Sequence, residues 1–118
     1  MQFDNSMPIY LQVIADIKKD IVNHVMLPGD KMPAGRDLAL KYKINPNTAA
    51  RVYQTLEAEE ICYTKRGLGT FVSEDYKMIE KMRREMAKEL VEKFLINMQE
   101  LGFSSKDILK LISSSESK

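Results

Sequence analysis

The stretch Ile44-Asn45-Pro46-Asn47-Thr48 constrains this chain more than any other. It stacks an apolar residue, an Asn able to cap a helix, a Pro suited to the first helical position and small polar residues, which together start a helix. Upstream, residues 35–43 offer Leu38, Ala39 and Tyr42 as one inward face of a short helix. Downstream, residues 46–60 bring Ala49, Val52, Tyr53 and Leu56 to one face of a longer one. Only about three or four residues remain for the turn between them, the length expected of a helix-turn-helix.

The flanks extend this into a winged arrangement. Residues 8–26 carry Ile9, Val13, Ile14, Ile17, Ile21, Val22 and Val25 at three- and four-residue spacings, which predicts a first helix with Ser6 as N-cap and Pro8 in its first turn. Leu27-Pro28-Gly29-Asp30 ends it. After the third helix, Ile61-Cys62-Tyr63-Thr64-Lys65 and Thr70-Phe71-Val72-Ser73 are β-prone runs around the basic turn Arg66-Gly67-Leu68-Gly69, which predicts a hairpin, or wing. From residue 74 to residue 101 the pattern is again helical and stops at Gly102 as a C′ residue. Ser104 or Ser105 can cap a last short helix with Ile108, Leu109, Leu111 and Ile112, and the polar tail 113–118 is expected to fray. The expected fold is α+β and mostly helical: a winged helix-turn-helix over residues 1–73, then a small two-helix region over 74–118.

Composition narrows the function. With 118 residues, 44% of them hydrophobic, and only 5 Gly and 4 Pro, the chain suits one domain with a modest core and excludes a disordered tract, a fibrous protein or a large enzyme. The single Cys62 excludes an intramolecular disulfide and a cysteine-rich zinc site and fits a reducing compartment, so the expected location is the cytoplasm. The first residues lack the basic and apolar regions of a signal peptide, and no run approaches the roughly 20 apolar residues of a membrane span. His24 near the end of helix one suits helix-dipole stabilisation. Cys62 lies in a strand-like run without an evident base, and no His/Cys cluster has metal-ligand spacing. The expectation is therefore no enzyme, no metal and no cofactor.

Net charge is only +1, so affinity for a polyanion has to come from local segregation of charge. Residues 31–51 supply it: Lys31, Arg36, Lys41, Lys43 and Arg51 against the lone acid Asp37, a net +4. Lys65 and Arg66 add charge at the wing tip, while Asp16, Asp20, Glu57, Glu59 and Glu60 fall on helix one and the far end of helix three, expected to face away from a duplex. A recognition helix presents its N-terminal residues to base edges, here Asn45, Asn47, Thr48 and, one turn on, Arg51. Asn pairs with adenine and Arg with guanine, and Thr and free helix N–H groups anchor phosphate. Asn45 is equally read as a cap alone. Arg36 suits phosphate or base contact from its place between the Pro33 turn and the recognition helix, the alternative being a surface ion pair with Asp37 or Glu57. Arg66 suits DNA contact because Gly67 beside it lets the wing backbone approach the duplex, the alternative being solvation of the turn.

In order and spacing, Pro8-Ile9-Tyr10-Leu11-Gln12, Leu27-Pro28-Gly29-Asp30-Lys31-Met32-Pro33, Arg36-Asp37-Leu38-Ala39, Asn45-Pro46-Asn47-Thr48, Arg51-Val52-Tyr53-Gln54-Thr55-Leu56-Glu57 and Lys65-Arg66-Gly67-Leu68-Gly69-Thr70-Phe71-Val72 form one signature across nearly all of residues 8–72. The chain resembles the GntR family of bacterial transcription regulators, in particular its short-tailed YtrA-like subfamily. The resemblance implies a winged helix-turn-helix that binds an operator as a homodimer, acts as a repressor, and contacts DNA through Arg36, Asn47, Thr48, Arg51, Arg66 and Gly67. Two departures stand out. Ala34 replaces the family's usual Ser after the helix-two proline, and Ala49-Ala50 replaces a larger, often polar pair, which is expected to alter the bases read.

Only about 45 residues follow the wing, too few for the separate effector domain of larger members of the resembled family, whose short subfamily looks like two helices used for dimerisation. The stripe Ile79, Met82, Met86, Leu90, Phe94, Met98 and Leu101 agrees, because one long helix cannot bury such a face on itself. A small-molecule effector is left open, since the Met-rich stripe is adaptable enough to take an apolar ligand, while helix packing is the plainer reading. The alternative function is a winged-helix protein-interaction module whose long helix binds a partner.

Overall fold

The computed structural model describes residues 1–116. Its elements are α1 (Ile9–Val22), α2 (Gly35–Tyr42), α3 (Pro46–Ala58), β1 (Cys62–Lys65), β2 (Gly69–Val72), α4 (Tyr76–Glu100) and α5 (Ser105–Glu116). The expected α+β, mostly helical class and the winged helix-turn-helix are present. The chain divides into two compact units, Met1–Met82 and Arg83–Lys118, with the division inside α4. The expected boundary after residue 73 instead follows the end of the wing. Among the described residues, no helix is long and apolar enough to cross a membrane.

In the first unit, helical periodicity becomes a core: Val13, Ile14, Ile17 and Ile21 of α1, Leu38, Ala39 and Tyr42 of α2, and Ala49, Val52, Tyr53 and Leu56 of α3 are buried. Helix α3 packs on both α1 and α2 and reaches β1. Two phenols pin the frame. Tyr42 Oη donates to Asp16 Oδ2 at 2.8 Å, joining α2 to α1, and Tyr53 Oη donates to the Pro33 carbonyl, fixing the turn that leads into α2.

Helix α1 ends at Val22, four residues before the predicted Met26. The N–H of Val25 folds back onto the Asp20 carbonyl and that of His24 onto Ile21, with His24 at φ 60°. This paired closure, with a left-handed residue just past the helix, ends the element without glycine. Val25 is consequently 70% exposed rather than part of the inward face. The same closure recurs after α2, with Lys43 at φ 55°, and after α3, with Glu60 at φ 61°. A side chain in the left-handed region is strained where glycine is not. Glu60→Gly is therefore expected to raise stability by about 0.5–1 kcal/mol, read as a higher urea midpoint.

The predicted Ser6 cap is not formed either. Ser6 N donates to Asp4 Oδ1, and Pro8 occupies the cap position of α1. The start of α1 is held instead by buried Gln12, whose Oε1 accepts from Asp4 N while its Nε2 donates to the carbonyls of Asp4 and Met7.

The wing is wider than a hairpin. Strands β1 and β2 pair antiparallel, Cys62 opposite Val72 and Lys65 opposite Gly69. On the other edge of β2, Met32 N donates to the Thr70 carbonyl, Val72 N to Asp30 and Gly29 N to Val72. Residues 29–32 thus act as a third, irregular strand, tied by the Lys31–Phe71 bridge.

In the second unit, Phe103 N donates to the Met98 carbonyl and Gly102 N to Gln99, with Gly102 at φ 87°, so Gly102 ends α4 as expected. Ser104 caps α5: its Oγ accepts from Asp107 N, and Asp107 Oδ2 accepts in turn from Ser104 Oγ. The tail expected to fray from residue 113 is helical to Glu116, and residues 117–118 lie outside the described residues.

Candidate nucleic-acid interface

The first turn of α3 is built by Asn45, whose Oδ1 accepts from Asn47 N at 2.7 Å, and by Pro46 at the first helical position. The cap reading of Asn45 is therefore realised, and its carboxamide oxygen is engaged within the chain. Asn47 is exposed and Thr48 half-buried. Arg51, one turn further, is exposed, on the side of the helix away from the core set by Ala49, Val52 and Leu56. Ala49 is 0% exposed whereas Ala50 is on the surface. The expectation that the alanine pair alters the bases read is thus confined to Ala50, because a larger residue at position 49 has no room in the core.

Arg36 is exposed on the first turn of α2 and has no hydrogen-bond or ion-pair partner among the described residues. The surface ion pair with Asp37 or Glu57 does not form. Glu57 Oε1 accepts from Thr64 Oγ1 on the wing, and the far-end acid Glu59 pairs with Lys18 at 3.5 Å. At the cap of α2, Ala34 makes no side-chain hydrogen bond to the helix, as its missing hydroxyl dictates.

The wing has two chemically distinct faces, set by the alternation of side chains along each strand. Cys62 and Val72 are buried, with Thr64 and Thr70 joined beside them at 3.2 Å. Burial pushes the Cys62 thiol up to about 12, so it remains a neutral thiol and no nucleophile. On the opposite face Tyr63 and Phe71 stack with centroids 5.7 Å apart, and Lys65 Nζ lies 5.7 Å and 5.3 Å from their respective centroids. Lys65 is thus held at the wing by an aromatic platform. Lys31 joins this face: a Cβ on Gly69 would stand 2.9 Å from Lys31 Cε, so the missing side chain at Gly69 is what lets the lysine stem cross β2. Arg66 and Gly67 form the exposed tip, with Gly67 at φ 81° and Leu68 N closing the turn on the Lys65 carbonyl.

The long-helix stripe divides. Ile79 and Met82 are buried within the single chain, Met86 and Met98 are half-buried, and Leu90, Phe94 and Leu101 are exposed. Two residues escaped the sequence reading as parts of this surface. Lys31 was visible only as a charge. Tyr10 stood only in the family-like stretch Pro8–Gln12, with no role attached, yet its ring lies under Arg51.

Comparison with known proteins decides what the surface belongs to. The sequence profile described as "Bacterial regulatory proteins, gntR family" matches residues 9–72, more than half of the chain. The chain belongs to the GntR family. The HTH-type transcriptional repressor YtrA of Bacillus subtilis is 38% identical to this GntR-family chain over 99 residues, 83% of this chain and 76% of the relative. A GntR family transcriptional regulator from Listeria monocytogenes is similar throughout: 39% identity, TM-score 0.88, covering 95% of this chain and 98% of the other. The DNA-binding domain of AraR in complex with operator ORX1 matches at 28% identity and TM-score 0.56, over 62% of this chain and 92% of that domain. This GntR winged helix therefore shares its fold with a domain solved on operator DNA, and its relatives are transcriptional regulators, some named repressors.

Proposed function

We propose that this chain is a cytoplasmic, sequence-specific repressor that binds an inverted-repeat operator as a homodimer, with no enzymatic activity. The observation that carries this is the capped start of α3, with Asn47 exposed, Thr48 half-buried and Arg51 exposed one turn further on, while the opposite side of the helix is locked into the core. Arg36 supports it as a cation with no partner among the described residues, and Lys31, Lys65 and Arg66 make the wing basic, with Gly67 at its tip. Asn47 and Arg51 are the base readers in this proposal; Arg36, Thr48 and the wing hold the backbone. Asn45 serves through its cap. The exposed apolar residues Leu90, Val91, Phe94 and Leu101 support pairing of two copies, which sets two recognition helices about 34 Å apart, one duplex turn, or a multiple of that.

Selection of the full chain against a random duplex pool tests the reading. Recovery of an inverted repeat, bound with a steep salt dependence, is the expected result. On that sequence, Arg36→Ala and Arg51→Ala are each expected to cost about 1–3 kcal/mol, measured by equilibrium titration. Parental affinity in both variants would overturn the docking. Weak binding indifferent to sequence would overturn the operator reading and favour the interaction module, with α4 as its partner surface.

A further inference from the structure

We propose that Tyr10 is a positioning residue for Arg51, holding its guanidinium in the orientation in which it reads a base; this rests on the operator reading above. The two residues lie 41 positions apart, on α1 and α3. The guanidinium carbon of Arg51 sits 3.8 Å from the centroid of the Tyr10 ring, and Arg51 Nη2 donates to Tyr10 Oη at 3.2 Å. One side chain thus receives both a cation–π contact and a hydrogen bond from the same partner.

Tyr10 is suited to the task by where it stands. It is the second residue of α1 and is half-buried, in helical register with the buried Val13, Ile14 and Ile17 on the face that packs against α3. The turn beneath it is fixed by Gln12, whose three hydrogen bonds tie down the chain from Asp4 to Met7. The ring is therefore a rigid platform, whereas an exposed Arg alone samples many rotamers.

The geometry orients the guanidinium without consuming it. A guanidinium carries five N–H donors in its plane, and the ring contact, made through the guanidinium carbon, uses none of them. The bond to Tyr10 takes one donor, so the two needed for bidentate pairing with guanine remain.

The test is a mutant cycle on the operator recovered by the wild-type chain. Tyr10→Leu is expected to weaken operator binding about three- to ten-fold, the range for an exposed cation–aromatic pair with an added hydrogen bond. It is also expected to relax preference at the same base pair that Arg51→Ala relaxes, leaving other positions and the salt slope unchanged. Tyr10→Phe retains the platform and is expected to keep most of the preference. In an Arg51→Ala background, Tyr10→Leu is expected to have no further effect, because the two act as one unit.

Additive losses, or a loss spread evenly over all base positions, would show that Tyr10 merely supports the fold and would overturn the proposal. Tighter operator binding by Tyr10→Leu would overturn it as well, by showing that the contact withholds Arg51 from DNA. Thermal melts of each variant separate these results from unfolding. If the wild-type chain recovers no sequence, the operator reading fails and this role fails with it; if the wild type recovers one and the cycle is additive, only the role of Tyr10 fails.

Discussion

The wild-type chain is expected to sediment as a dimer and a Leu90→Glu, Phe94→Glu double variant as a monomer. The two residues are one helical turn apart on α4 and are 70% and 41% exposed. Val91, Ile96 and Leu101 are exposed on the same long helix or just beyond it, and Leu109, Leu111 and Ile112 on α5. A monomer of this size rarely leaves so many large apolar side chains in water without a partner to cover them. Carboxylates at positions 90 and 94 would place unpaired charges inside the interface, where desolvation is costly.

The consequence for DNA is larger than the local change. Two linked binding modules gain about 10²–10⁴ in avidity over one, so the double variant is expected to lose roughly a hundred-fold or more in affinity for the full operator while binding an isolated half-site as the wild type does. Sedimentation and titration on full and half operators give both numbers. Both substitutions fall in the unit Arg83–Lys118, and an unchanged melt of the unit Met1–Met82 would confirm that the loss arises from assembly. A variant that remains dimeric would remove α4 as the dimer interface.

How much of this was legible in the sequence depends on how local each signal is. The start of α3 was fully legible, because Asn45 and Pro46 act within one turn on the backbone that they belong to. The inward faces of α2 and α3 were legible from spacing, Ala49 among them, although the resemblance had grouped it with exposed Ala50 as a pair that alters the bases read. The helix ends were not. His24, Lys43 and Glu60 adopt the left-handed conformation usually signalled by glycine, and residue type carries no mark of it. Residues 29–32 join the wing through bonds to β2 some 40 positions away, whereas Gly29 and the flanking Pro28 and Pro33 read as a loop. The Tyr10–Arg51 contact is likewise a product of how α1 crosses α3, which no window of either helix encodes. On α4, spacing marked an apolar stripe but could not divide it into Ile79 and Met82, buried within the chain, and Leu90 and Phe94, left exposed.

Leu56→Ala is expected to lower the free energy of unfolding by about 2–5 kcal/mol, the cost of removing a fully buried leucine and leaving a cavity. Leu56 is 0% exposed and lies on α3, the helix that packs against α1 and α2 and reaches β1. No single surface can relax to fill the gap, because the neighbouring elements are pinned separately by Tyr42 to Asp16 and by Tyr53 to the Pro33 carbonyl. Against a typical stability of about 5–15 kcal/mol this is a substantial fraction, visible as a fall of about 1–2 M in the urea midpoint at unchanged slope. A midpoint that barely moves would mean that α3 is not held by this core.

The same variant separates stability from recognition. Where Leu56→Ala remains folded, Asn47 and Thr48 still stand on a first turn held by the Asn45 cap, and Arg51, one turn further, still meets Tyr10. Operator affinity at low temperature is therefore expected to match the wild type, and to fall on warming in step with the unfolded fraction. Arg36→Ala should do the reverse, weakening binding at every temperature without moving the melt, since Arg36 has no partner within the described chain. If Leu56→Ala loses affinity while fully folded, the core sets the angle at which α3 meets DNA as well as holding the helix in place.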